Sequence, residues 1–135
     1  MTDMTKSMKL NHLSFPSLDL AATAAFFEKH LGFTISAKME TAYILKRPGF
    51  DVVIDTVPDG VAEYPKSFHV GFELPSVEDV RALYERFKAD GVEMETGIFN
   101  NDRGSRFFCR APGGVMFELN TRADASEEYR GTFDN

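Results

Sequence analysis

One pattern is written twice in this chain, and it leaves few folds open. From Lys9 to Phe15 the residues alternate as in a strand, with Leu10, His12 and Ser14 on one face and Leu13 and Phe15 on the other. Pro16 ends the strand, and Ser17 or Asp19 can cap the helix former-rich run Leu20–Leu31. Its apolar stripe is Leu20, Ala24, Phe27 and Leu31, and Gly32 offers the left-handed residue that closes a helix. Strands are predicted at Thr34–Met39, Ala42–Lys46 and Asp51–Val57, the last two separated by Pro48-Gly49. The order then repeats. Ser67–Glu73 reads as a strand stopped by Pro75, and Ser76 followed by Asp79 resembles a capping box. A helix with the stripe Val80, Leu83, Tyr84 and Phe87 ends at Gly91. Strands are expected near Glu93–Thr96, Arg106–Cys109 and Val115–Asn120, with Ala111-Pro112-Gly113-Gly114 turning between the last two. His12 and His69 stand 57 positions apart, and so do Phe27 and Tyr84.

A βαβββ unit of roughly 55 residues cannot cover both faces of its own sheet, so two such units are expected to pack together. The sequence therefore predicts an α+β protein of two βαβββ modules, residues 8–57 and 66–122, forming one domain with tails at 1–7 and 123–135. The stretch 58–65 is turn-rich and reads as the connector, and the polar residues after about Thr121 are expected to form a loose tail or a short helix at Ser126–Tyr129.

Composition narrows the function. With 15 Lys and Arg against 21 Asp and Glu, the net charge of −6 argues against nucleic acid, whose phosphates call for clustered basic residues. No apolar run approaches the ~18 residues of a membrane span, and the start Met1–Lys6 has no apolar signal core, so a soluble cytoplasmic protein is expected. The single cysteine, Cys109, excludes an internal disulfide or a cysteine-rich zinc site and reads as a small buried hydrophobe within Phe107-Phe108-Cys109.

Three residues stand out chemically. The two opening strands carry His12 and His69 at equivalent places, and the last strand carries Glu118 with the parity of Met116 and Asn120, opposite Phe117 and Leu119. A carboxylate on an inward strand face is costly unless neutralised. Two imidazoles and a carboxylate achieve this by binding a divalent cation with open positions left over. The alternatives are core histidines, and a Glu118 paired with Arg106 or Arg110.

These residues, together with Leu10–Leu13, Ala25–Phe33, Phe68–Phe72 and Ala111–Glu118, resemble the vicinal oxygen chelate superfamily of glyoxalase I, extradiol dioxygenases, fosfomycin-resistance thiol transferases and bleomycin-sequestering proteins. The resemblance spans about Lys9 to Arg122. It implies curled mixed sheets around a cleft, one divalent metal ion (Fe, Mn, Ni or Zn) on His12, His69 and Glu118, a small-molecule substrate and a homodimer, with the ligands drawn from one chain or two. Departures from the family pattern narrow the activity. Aligning Asp51–Val57 on Val115–Thr121 sets Ile54 where glyoxalase I has a further ligand, unless a bulge brings Asp55 there. Phe108 stands where the extradiol and fosfomycin enzymes have a tyrosine, and no histidine occurs in 93–110.

The expectation is a metal-dependent enzyme acting on a substrate with neighbouring oxygens, of lyase or isomerase type, with Glu118 also moving protons. Arg106, Phe108, Arg110 and Tyr43 are the candidate substrate contacts, and 100–105 reads as a mobile loop over the cleft. His30 is assigned to the end of its helix rather than to the metal. The rivals are a sequestration protein with an apolar cleft of Phe15, Phe72, Phe99 and Phe108, and an atypical extradiol dioxygenase.

Overall fold

A computed structural model of the chain describes residues 4–57, 63–130 and 133. The chain divides into two compact units, 1–62 and 63–135. Part of the expected connector, 58–62, lies outside the described residues.

In the first unit, β1 (His12–Pro16), α1 (Leu20–His30), β2 (Thr34–Lys38), β3 (Ala42–Arg47) and β4 (Phe50–Asp55) follow one another. The sheet order is β1-β4-β3-β2, with β1 and β4 parallel and the other neighbours antiparallel. Asp19, rather than Ser17, caps α1 by accepting from the Ala22 N–H, a contact worth about 1 kcal/mol. Ser17 instead turns inward and bonds Thr23 Oγ1 at 2.8 Å. The helix lies on the face formed by Phe15, Leu45, Val52 and Ile54, all essentially buried, and Phe27 meets Phe15 and Phe33 at ring separations of 5.7 and 5.5 Å. The one irregularity of register falls in β2, between Ile35 and Ala37.

The second unit runs β5 (His69–Leu74), α2 (Val77–Ala89), β6 (Glu93–Met94), β7 (Phe99–Asn101), β8 (Gly104–Arg110) and β9 (Met116–Thr121). Its order β5-β9-β8-β6 again pairs the first and last strands in parallel, and β7 adds a hairpin onto β8. Ser76 caps α2 as its spacing predicts, accepting from the Asp79 N–H while its hydroxyl donates to the Asp79 carboxylate. Phe87, Phe107 and Phe117 interlock edge-on beneath α2 with Val80 and Leu119. Both sheets are mixed, each carries one helix, and neither closes into a barrel, which makes the protein α+β.

Two expectations need correction. The 100–105 segment is not a free loop: Asn101 pairs with Gly104, and the hairpin is tied down by the residues after β9. Asp124 accepts from the Ser105 N–H and hydroxyl and from Asn100, and Ser126 donates to the Asp102 carbonyl. The polar end thus works as a strap through residue 126, and the short helix is a 3-10 turn at Glu127–Tyr129. Gly104 makes the strap possible, because at φ 103° a side chain there would run into the Thr121 carbonyl.

Candidate functional site

Each sheet turns one face away from its helix, and the ladder decides what that open face carries. In the second unit, Gly71 lies opposite Glu118, Phe108 opposite Glu118 on the other side, Arg106 opposite Asn120 and His69 opposite Met116. Alternation therefore brings His69, Glu118, Arg106, Phe108 and Asn120 to one face. Gly71, with no side chain, leaves the approach to the carboxylate open; a Cβ there would come within 3.9 Å of Glu118 Oε2.

His69 Nε2 stands 3.6 Å from Glu118 Oε1. The other ring nitrogen, Nδ1, donates to the Ser67 carbonyl at 2.8 Å, so in the neutral imidazole Nε2 is the nitrogen that carries the lone pair. Glu118 is 8% exposed, and its Oε2 accepts from the Asn120 amide. Two electron-rich atoms facing each other call for positive charge. Arg106 supplies some, with Nη1 3.7 Å from Glu118 Oε1. A divalent cation would supply more: two ligands at ~2.1 Å from one ion lie roughly 3.0–3.4 Å apart, close to the separation observed. The donor chemistry of this pair fits a metal, down to the carbonyl that orients the imidazole.

Arg106 is itself buried, at 6% exposed. Its Nη2 donates to Asn101 Oδ1 at 2.6 Å and to the Gly104 carbonyl at 3.2 Å, whereas Nε is buried with no partner among the described residues. Phe99 lies under the guanidinium at 6.0 Å and is stacked 6.1 Å from Phe108, which meets His69 edge-on at 5.1 Å. Arg110 shares the face but is committed elsewhere. Its Nε bonds Glu95 at 2.8 Å and its Nη1 the Gly114 carbonyl at 3.0 Å, and this partner holds the Glu95 carboxyl below its usual range.

The first unit repeats the geometry with different residues. His12 lies opposite Asp51 and Ser14 opposite Val53, the same steps by which His69 meets Met116 and Gly71 meets Glu118. The counterpart of Glu118 is therefore Val53, and not Ile54, which lies buried on the helix side. Asp55 is already on the open face without any bulge in β4, at the place that Asn120 holds in the second unit. His12 is exposed, and its Nδ1 donates to Asn11 Oδ1 at 2.7 Å, so here too Nε2 is left free to bind. Tyr43 pairs with Ile54 and has the parity of Leu45, which sets it on the helix side and away from the candidate ligands. Phe15 and Phe72 also take the helix-side parity, leaving Phe99 and Phe108 as the aromatic surface beside Glu118. His30 lies in the last turn of α1 against Phe26.

Cys109 faces α2 and is fully buried; burial pushes its thiol up to about 12, which leaves no nucleophile there at neutral pH. Within neither unit, among the described residues, are three His, Cys, Asp or Glu side chains gathered together, and the second unit brings together the pair His69 and Glu118. The roles of Asn120, Asn101 and Ser67 were not drawn from the sequence, although the shared parity of Glu118 and Asn120 is visible there.

Comparison with known proteins places the chain in a family. The model of the glyoxalase/bleomycin resistance protein/dioxygenase superfamily matches residues 9–119. The chain belongs to that superfamily. Among solved structures, a possible glyoxalase from Bacillus cereus is 30% identical, with a TM-score of 0.73, and the match covers 84% of this chain and 98% of that one. The genomically encoded fosfomycin resistance protein FosX from Listeria monocytogenes shares the fold at 24% identity and a TM-score of 0.73, covering 92% of this chain and 98% of its own. A lactoylglutathione lyase from Agrobacterium tumefaciens shares it at 17% identity and a TM-score of 0.70, covering 84% and 92%. No curated protein sequence matches significantly. Proteins named for such different activities share this fold, and no described helix is long and apolar enough to cross a membrane.

Proposed function

We propose that the protein is a metal-dependent enzyme of the superfamily that acts on a small substrate with two neighbouring oxygens, in a lyase or isomerase reaction. The observation that carries this reading is the approach of His69 Nε2 to Glu118 Oε1 at 3.6 Å, with the Nδ1 proton already spent on Ser67. His69 and Glu118 would hold the cation, and His12, its Nδ1 tied to Asn11, would be the third ligand, from the same protomer or from the partner in a homodimer. A divalent cation held there would supply Lewis-acid stabilisation of negative charge developing on substrate oxygen. The chain's own residues do the rest. Asn120 keeps Glu118 Oε2 occupied, so that Oε1 is the oxygen free to bind or to take a proton. Phe108 walls the site beside His69 and excludes water.

Titration calorimetry with Mn²⁺, Fe²⁺, Ni²⁺ and Zn²⁺ tests the proposal. One ion per chain is expected, with at least a hundredfold loss of affinity in His69→Ala and in His12→Ala, and no stoichiometric uptake of any of the four would end the reading. A second reading, sequestration of an apolar compound, is favoured by the Arg106–Glu118 pair, which already balances the buried charge. It expects ligand binding to survive His69→Ala.

A further inference from the structure

Arg106 is over-provided for its neighbours. A buried guanidinium ordinarily spreads its five N–H groups over several acceptors. Here the hydrogen bonds converge on Nη2, Nη1 faces Glu118 Oε1 from beyond hydrogen-bond range at 3.7 Å, and Nε is enclosed without an acceptor among the described residues. Asn101 and Gly104, on the pinned hairpin, hold the group in place, so its position is built rather than adventitious.

The charge balance sharpens the point. Alone, Arg106 and Glu118 cancel. With a divalent cation on Glu118 and neutral imidazoles, the same partly dehydrated face carries two net positive charges, which a bound anion must offset. Beside it stand the stacked Phe99 and Phe108; Phe99 is 42% exposed, an apolar surface left partly open by the described residues.

We propose that Arg106 is a carboxylate anchor and that the substrate is a 2-hydroxy or 2-oxo acid with an aromatic or bulky apolar body. This deepens, and rests on, the metal reading above. Such an acid offers two neighbouring oxygens to the cation, its remaining carboxylate oxygen to the guanidinium, and its body to Phe99 and Phe108. Neutral diols and ketols lack the group that satisfies Arg106.

The test uses the full-length protein loaded with Co²⁺, whose visible absorption reports ligand entry, and three probes: 3-phenyllactate, lactate and the neutral 3-phenyl-1,2-propanediol. Phenyllactate is expected to shift the cobalt band and to bind at least tenfold more tightly than either of the others. Arg106→Gln is expected to lose at least tenfold in phenyllactate affinity while holding Co²⁺ as tightly as the wild type or more so, because a competing cation next to Glu118 is gone. Arg106→Lys is expected to restore part of the acid affinity. These opposite signs separate an anchor from a residue that merely supports the fold. Equal affinity for acid and diol in the wild type, or undiminished acid binding in Arg106→Gln, overturns the proposal while leaving the metal reading intact; the wild-type comparison decides if the variant does not fold. Failure of Co²⁺ to give a band overturns both.

Discussion

The two units are the same frame carrying different chemistry. Where the second presents His69, Glu118, Arg106 and Phe108 on its open face, the equivalent steps of the first present His12, Val53, Ala42 and Ile44. The histidine is kept in both, each with its Nδ1 proton absorbed by a nearby oxygen. At the Glu118 place the first unit has Val53, and its open-face acids, Asp51 and Asp55, stand two residues to either side and half-buried. The second unit also gains the β7–β8 hairpin and the strap through Asp124 that secures it, with no counterpart among the described elements of the first. The frame is built twice, and a second Glu at the Val53 place would be a further carboxylate to neutralise.

The sharpest break of the comparison is a matched pair of substitutions. Glu118→Gln removes the anionic donor and is expected to weaken metal binding at least a hundredfold by calorimetry, whereas Val53→Ala at the equivalent place leaves it unchanged. If both variants bind equally, the asymmetry drawn here has no chemical meaning. Next comes Gly104→Ala, which forces a Cβ onto the Thr121 carbonyl at a φ that suits glycine. It is expected to cost about 2–4 kcal/mol, a fall in melting temperature of roughly 10 °C by calorimetry. Gly49→Ala, in the open turn of the first unit, pays only the strain of its φ of 82° and falls by less.

A smaller effect is constructive. Introducing Val53→Glu into the Glu118→Gln protein rebuilds, beside His12 and opposite Ser14, the register that His69 and Glu118 share, and is expected to return at least tenfold of the lost Co²⁺ affinity. No recovery would show that register alone does not make a ligand pair. The smallest effect is electrostatic. Burial opposes ionisation of Asp124, but hydrogen bonds from Ser105 and Asn100 outweigh it and hold the carboxyl below its usual range. A lowered folded value means a stabilising contribution that is complete above the unfolded carboxylate range, ~4, and is lost as the pH falls through the lower folded value. Hydrogen exchange at the Ser105 amide should therefore quicken in acid for the wild type, and Asp124→Asn should flatten that dependence. Solvent around Asp124 keeps the effect modest.

Much of this was legible beforehand. Alternation, two caps and two closing glycines located both helices and most strands, because each is a local decision. The ligand candidates followed from parity within single strands. What the sequence hid was pairing across strands. The turn after β3 spends Pro48 and Gly49, whereas the one after β8 has a second glycine, Gly114, before pairing resumes, so matching the turns end to end shifts the first unit by one residue and sets Ile54 in place of Val53. Strand β7 escaped because Phe99-Asn100-Asn101 has no apolar alternation, and its pairing depends on Asp124 and Ser126, remote in the chain. Arg110 and Arg106 share parity too; their acceptors, Glu95 on one side and Asn101 on the other, separate their roles.

The parallel pairing of β5 with β9 has a temporal consequence. His69 and Glu118 are 49 positions apart and belong to the strands that open and close their unit. A nascent or truncated chain that stops short of residue 118 owns an imidazole with no acid to face. On the proposed metal reading, cation capture waits until the last ribbon has been laid beside the first, and a captured ion would then bolt that ring of backbone shut.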